Sequence, residues 1–289
     1  MTTLAEPAQD ASPPPPRRGR RWLIAAAAAW ALLLAGTAYW SARHDPATVR
    51  EQRSVGEALP VVERAAGRLA AAAGPDAVLE IVAPRLTTGC RITSARAGAT
   101  LEQDVRIFVP PAEAAVQLDR LGDRLPEAYR VRVRHPAHGD HTLRADAGEF
   151  VGIRGGVTGP GIITLTVATG CRPDDRPVLA DTLVLAPPEL VAAASPVAAA
   201  LGVGAGESVG STRVQCDDAG NVARSVRLTS QPGTVPGPLP VALHDRLAGT
   251  TPALSTADLV AYRHGGVALV AQARDGRVTV VATQPCPAQ

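Results

Sequence analysis

Gly206-Glu207-Ser208-Val209-Gly210 fits the G-x-S-x-G spacing of a hydrolase nucleophile elbow. A serine there needs a base and a carboxylate to orient it, and Asp245 or Asp258 followed by His264 keeps the chain order Ser, Asp, His. The setting is reversed, however. The elbow demands a strand before the serine and a helix after it, whereas Ala-rich helical residues precede Ser208 and the strand-like run Ser211 to Cys216 follows it. An envelope serine hydrolase using Ser208 stands as an alternative, and a glycine loop between helix and strand as the simpler reading. Gly202 to Gly206 also lacks the βαβ unit of a nucleotide loop, and Ser208 replaces its last small residue.

The densest set of ligand-type side chains is His135-Pro136-Ala137-His138-Gly139-Asp140-His141. Imidazoles suit zinc or copper, so His135, His138, Asp140 and His141 are weak candidate metal ligands, and a metal-responsive sensor is a second alternative. Pro136, Gly139 and Asp140 are turn formers, and a polar hairpin tip accounts for the cluster without a metal. No metal or other cofactor is expected. Arg130, Arg132 and Arg134 alternate with Val131 and Val133, which places three guanidinium groups on one strand face able to grip phosphate or carboxylate. Asp119, Asp123, Glu127 and Asp140 lie near in sequence, and a half-buried strand with a solvated charged face is the favoured explanation, so the alternation is better evidence for the sheet than for a ligand.

Four cysteines, Cys90, Cys171, Cys216 and Cys286, are spaced 81, 45 and 70 residues apart with no C-x-x-C pair, a pattern for two disulfides rather than for zinc. Spacing alone leaves three connectivities open. An internal repeat narrows them. Gly161-IITLTVATG-Cys171 and Gly276-RVTVVATQP-Cys286 share a turn glycine, a β-branched strand, an Ala-Thr pair and a closing cysteine. The expected staples are Cys90 with Cys171 and Cys216 with Cys286, one in each copy.

The elements around these residues repeat in turn. An extended pair, roughly 90–109 in the first copy and 211–229 in the second, precedes a helical stretch. In the first copy Ala115, Leu118, Leu121 and Leu125 fall at helical spacing behind Pro111; the second copy offers the shorter Val241 to Leu247. Closing strands follow at Tyr129 to His135 and Glu149 to Arg154, and at Asp258 to His264 and Val267 to Ala273, with Gly265-Gly266 and Asp275-Gly276 as hairpin turns. Helical lead-ins stand at Val55 to Ala73 and Pro188 to Leu201, and Arg172 to Pro177 marks the boundary.

Ahead of both copies runs Trp22 to Trp40, 19 uncharged residues, long enough at about 1.5 Å per residue to cross a bilayer. Arg17, Arg18, Arg20 and Arg21 precede it, aromatic residues stand at both ends, and the positive-inside rule gives an N-in, C-out topology in the plasma membrane. Gly36-Thr37-Ala38 offers a signal-peptidase site, but the apolar run is longer than an ordinary signal core and follows the stiff Pro13 to Pro16 tail, so an uncleaved anchor is expected.

The 29 basic residues are all arginine. Removing the tail's four Arg and its Glu6 and Asp10 leaves 25 charges of each sign beyond residue 40, so the exported region is neutral and exerts no long-range pull on a polyanion. All three Trp lie in the membrane segment, leaving few platforms for base stacking; nucleic acid is not an expected partner.

The expected architecture is α+β: a cytoplasmic tail (1–21), a transmembrane helix (22–40), a membrane-proximal helical segment (41–75), and two related extracytoplasmic domains (76–173 and 174–289). Each domain reads β-β-α-β-β-β, an antiparallel sheet with a helix on one face and one disulfide. The functional expectation is a non-enzymatic envelope binding or scaffolding protein whose partners are the lipid bilayer and a protein or envelope polymer.

Overall fold

A computed structural model describes residues 17–44, 53–94, 96–174, 185–204, 208–233 and 237–287. The chain divides into two compact units, Met1–Pro46 and Ala47–Gln289. Helix α1 (Arg17–His44) fills the described part of the first. Its apolar stretch Arg21–Ser41 has 21 residues, none buried, and is long and apolar enough to cross a membrane; a signal sequence has the same properties. Thr37 satisfies its hydroxyl inside the helix, donating to the carbonyls of Leu33 (2.9 Å) and Leu34 (3.0 Å). The Pro-rich tail before Arg17 lies outside the described residues.

The second unit opens with helix α2 (Val55–Ala73), whose start is fixed by a capping box: Ser54 Oγ accepts from the Glu57 amide and Glu57 Oε2 accepts from the Ser54 amide. Seven strands form the first sheet: β1 (Val78–Ile81), β2 (Arg85–Arg91), β3 (Ala97–Phe108), β4 (Arg132–Arg134), β5 (Thr142–Asp146), β6 (Val151–Gly159) and β7 (Ile162–Thr169). Helix α3 (Ala114–Arg124) connects β3 to β4 and buries Leu118 and Leu121. Helix α4 (Pro188–Ala200) leads into the second sheet of six: β8 (Ser208–Gln215), β9 (Val222–Thr229), β10 (Leu254–Ser255), β11 (Leu259–His264), β12 (Val267–Arg274) and β13 (Arg277–Gln284).

Both sheets are antiparallel and share one connectivity. The first runs β1-β3-β7-β6-β5-β4, with β2 beside β1 on the same edge of β3; the second runs β8-β9-β13-β12-β11-β10. After the central helix each half has four strands where the sequence predicts three. The additional ones are β5 and the two-residue β10. Tyr129 to His135 is not one strand: Tyr129 ends a 3-10 turn and Arg130 is left-handed (φ 48°), so only Arg132–Arg134 pair. Glu149 (φ 52°) and Phe150 (φ 59°) belong to a turn in which Asp146 accepts from the Gly148 amide, and the strand begins at Val151. Val241 to Leu247 is broken into two single turns, Leu239–Ala242 and His244–Leu247.

Arg172, read from the sequence as the start of a linker, is 1% exposed. It bridges to Ala99 as a strand partner, and its guanidinium donates to the carbonyls of Glu149 and Arg53. Burial pulls its pKa below the ordinary value, opposed by the nearby Glu149 carboxylate. Asp175 to Pro177 lie outside the described residues.

The two sheets share apolar layers within the second unit. Val214, Cys216, Ala223 and Cys286 join the core built by α2, α3 and the first sheet. Val78 and Phe108 pack with Leu259, Ala261, Val270 and Val281 from one face of the second sheet. Its other face packs with Leu190, Ala194 and Val197 of α4. Burial on both faces explains why β11 to β13 read as continuous apolar runs, and burial of one face with partial cover of the other explains the alternation of β3.

Gly67 of α2 meets β8 so closely that an added Cβ would lie 1.8 Å from the Gln215 carbonyl oxygen. Glycine to alanine inside a helix ordinarily stabilises by about 1 kcal/mol. Here Gly67→Ala is expected to destabilise by about 1–3 kcal/mol, because backbone on both sides of the contact must shift. Urea unfolding of the two proteins measures the sign.

Candidate functional site

The seam between the sheets creates the site. Val78 and Phe108 lie under the second sheet, while the rest of the first sheet's outer face, away from α2 and α3, extends beyond that cover. Where the cover ends, a groove of about 460 Å³ opens, with Arg106, Thr158 and Thr164 on the first sheet and Asp258, Gln272 and Arg274 on the opposite side. Thr158 and Thr164 share a hydrogen bond of 3.0 Å across a bulge in β6.

Beneath one end of the groove lies a buried ionic knot. The Glu80 side chain, 3% exposed, takes Arg106 of β3 at 3.4 Å and Arg227 of β9 on its other oxygen. One carboxylate thus ties both sheets. Burial holds the Arg227 guanidinium below its ordinary pKa. Ser225 continues the seam, donating to or accepting from Thr283 at 2.6 Å and accepting from the Ile81 amide at 3.3 Å.

Strand register builds a second feature on the same outer face. Arg132 of β4 pairs directly with Arg144 of β5, and Arg144 with Arg154 of β6. Paired residues in an antiparallel sheet project to one face with Cα atoms about 4.5–5.5 Å apart, so three arginines stand in one row across three strands. All three are exposed. Arg134 pairs with Thr142 in the next row toward the groove. Arg154 reaches Glu102 at 2.8 Å, but among the described residues no carboxylate lies within ion-pair distance of Arg132, Arg134 or Arg144. Three acids of this region have other partners: Asp146 takes Arg130, Asp119 takes His135, and Asp104 accepts from Thr166. Like charges directly opposed in a sheet are destabilising. Arg144, with an arginine on each side, stands at the centre of that repulsion.

The sequence reading names Arg132 and Arg134 but misses Arg144 and Arg154, and places Arg130 in a strand that it does not join. The signal was present in Leu143-Arg144 and Ile153-Arg154, apolar residues at inward positions each followed by an outward arginine; only the register brings them beside Arg132.

His135 and His141 do meet, at 2.8 Å between their Nδ1 atoms, and His135 Nε2 lies 2.7 Å from Asp119 Oδ1. Both nitrogens of His135 are therefore engaged. His138 and Asp140 lie on the exposed turn, and among the described residues no group of three or more His, Cys, Asp or Glu is arranged to hold a metal ion. The serine elbow is not assembled either. Gly206 and Glu207 lie outside the described residues, and Ser208 opens edge strand β8 opposite Thr229. Strand β11 with His264 is four positions away in the sheet, about 19 Å at the usual strand spacing.

The structure pairs Cys90 with Cys171 and Cys216 with Cys286, the pattern of a chain that folds outside the reducing cytosol. No family model matches the sequence, and no curated protein matches it. Among solved structures it is similar to a DUF4853 family protein from Actinomyces odontolyticus, at 14% identity and a TM-score of 0.34, over 59% of this chain and 92% of that one.

Proposed function

We propose that the chain is a single-pass envelope protein, held by an uncleaved α1 with its arginine-rich end in the cytoplasm, whose outer region binds a partner without transforming it. The groove at the sheet seam carries this reading. It brings guanidinium, hydroxyl and carboxamide groups from both sheets to one opening, and clefts of this kind, between packed layers, are where ligands are ordinarily held. The shared connectivity of the two sheets supports an origin by duplication, with the second copy supplying the wall of the groove to the first. The exposed apolar helix and the disulfides favour the anchored, exported topology.

Site-specific photocrosslinking in the native membrane tests it. A crosslinker replacing Thr158 in the groove is expected to capture a discrete partner, while one replacing Val116 on α3 does not. Equal capture from both positions, or none from either, would sink the groove as a binding site. The intact mass of the membrane-extracted protein reports retention of α1, and a mass beginning at Tyr39, after Gly36-Thr37-Ala38, would replace the anchor with a signal peptide.

A further inference from the structure

We infer that the row Arg132, Arg144 and Arg154, continued by Arg134 toward the groove, binds a linear polymer that carries phosphate groups. The proposal deepens the binding-protein reading and rests on it. Three facts carry it. The arginines are set side by side by register rather than scattered, so they offer positive charge at every strand of a three-strand span. Arg132, Arg134 and Arg144 have no carboxylate within ion-pair distance among the described residues, while Asp146 holds Arg130, Asp119 holds His135 and Glu102 holds Arg154. The row also opposes like charges across strands, an arrangement that costs stability and is relieved when an anion lies over it.

Chemistry selects the ligand. Side chains rising in parallel from neighbouring strands do not all converge on one small ion; a chain of repeated anions satisfies them in succession. Each guanidinium offers five N–H donors in a planar fork, and Thr142 stands in register beside Arg134. An in-chain phosphate offers two non-bridging oxygens and two bridging ones in a tetrahedral arrangement, so it can be reached by guanidiniums from more than one direction, whereas a carboxylate offers two oxygens in one plane. Nucleic acid would bring phosphates too, but its bases need aromatic platforms that this face does not offer. The neutrality of the exported region removes long-range attraction, while Glu102, Asp104 and Asp146 on the same face engage Arg154, Thr166 and Arg130 and leave Arg132, Arg134 and Arg144 open to contact-range attraction.

The test uses the full chain in phosphatidylcholine nanodiscs with fluorescent inorganic polyphosphate as probe, read by anisotropy over a salt series. Wild type is expected to bind with steep salt dependence. The R132Q/R144Q/R154Q variant is expected to lose affinity on the order of 100-fold. The slope of log affinity against log salt should fall by about 2, at about 0.7 per phosphate contact on a single-stranded polyanion. R68Q/R91Q/R277Q removes the same charge from Arg68, paired with Asp218, Arg91, which donates to the Ser94 carbonyl, and the exposed Arg277 of β13, none of them in register with the row, and should change neither quantity. Equal losses in the two triple variants overturn the row as a site. Equal binding of polyglutamate, tighter binding of single-stranded DNA, or row-dependent binding of phosphatidylglycerol vesicles without polyphosphate binding overturns the ligand. Thr158 crosslinking is read separately, so the row can fail while the groove stands.

Discussion

Glu80→Ala is expected to lower stability by about 3 kcal/mol and the melting temperature by about 9 °C. The carboxylate is nearly inaccessible and holds Arg106 and Arg227, which come from different sheets. Removing it leaves two guanidiniums facing each other at the seam. Breaking a buried pair typically costs about 3–5 kcal/mol; here both arginines keep roughly a third of their exposure, so water reaches them and the loss falls at the lower end. Glu80→Gln keeps the volume and one acceptor and should lose less. The decisive measurement is a double-mutant cycle with Arg227→Met under urea. A coupling of about 1–3 kcal/mol is expected for residues in one ionic network, whereas additive losses would show that Glu80 acts only by filling space.

The seam explains which parts of the protein were legible in its sequence. Local signals carried far: the helical lead-in at Val55 to Ala73, the α3 stripe through Leu118 and Leu121, the glycine turns of β11 to β13, and the repeat that paired the cysteines. Strand β1 was missed because Val78-Leu79-Glu80-Ile81 is four residues long and buried throughout, with a charge in place of the polar alternation that marks an exposed face. Arg172 resembled a linker residue because proline follows it, yet its environment is set by Arg53, Ala99 and Glu149, residues 119, 73 and 23 positions earlier. The candidate site was half legible. Alternation placed Arg132 and Arg134 on one face, but Arg144 and Arg154 join them only through register, which depends on turn lengths that composition does not encode. Net charge misled for a related reason: it averages over the whole region, and a neutral region can still engage some of its acids with other partners and leave Arg132, Arg134 and Arg144 without one among the described residues.

Replacing Cys216 and Cys286 by alanine is expected to cost about 4 kcal/mol, near 10 °C in melting temperature, and to cost more than replacing Cys90 and Cys171. Loop entropy alone predicts the opposite order, because the Cys90–Cys171 bridge closes 81 residues and the Cys216–Cys286 bridge only 70. Burial reverses it. Cys216 and Cys286 are 1% and 2% exposed, and Cys286 Sγ lies 3.7 Å from the carbonyl oxygen of Gly67, where α2 presses on the second sheet. Their loss opens space in the core that the two halves share. Cys90 and Cys171 lie at a partly exposed edge, where relaxation is cheaper. Thermal unfolding of the two double variants without reductant compares them directly. If the Cys90 and Cys171 variant were the less stable, the second bridge would be a staple on its own sheet, and the packing of α2 against it would contribute little to holding the halves together.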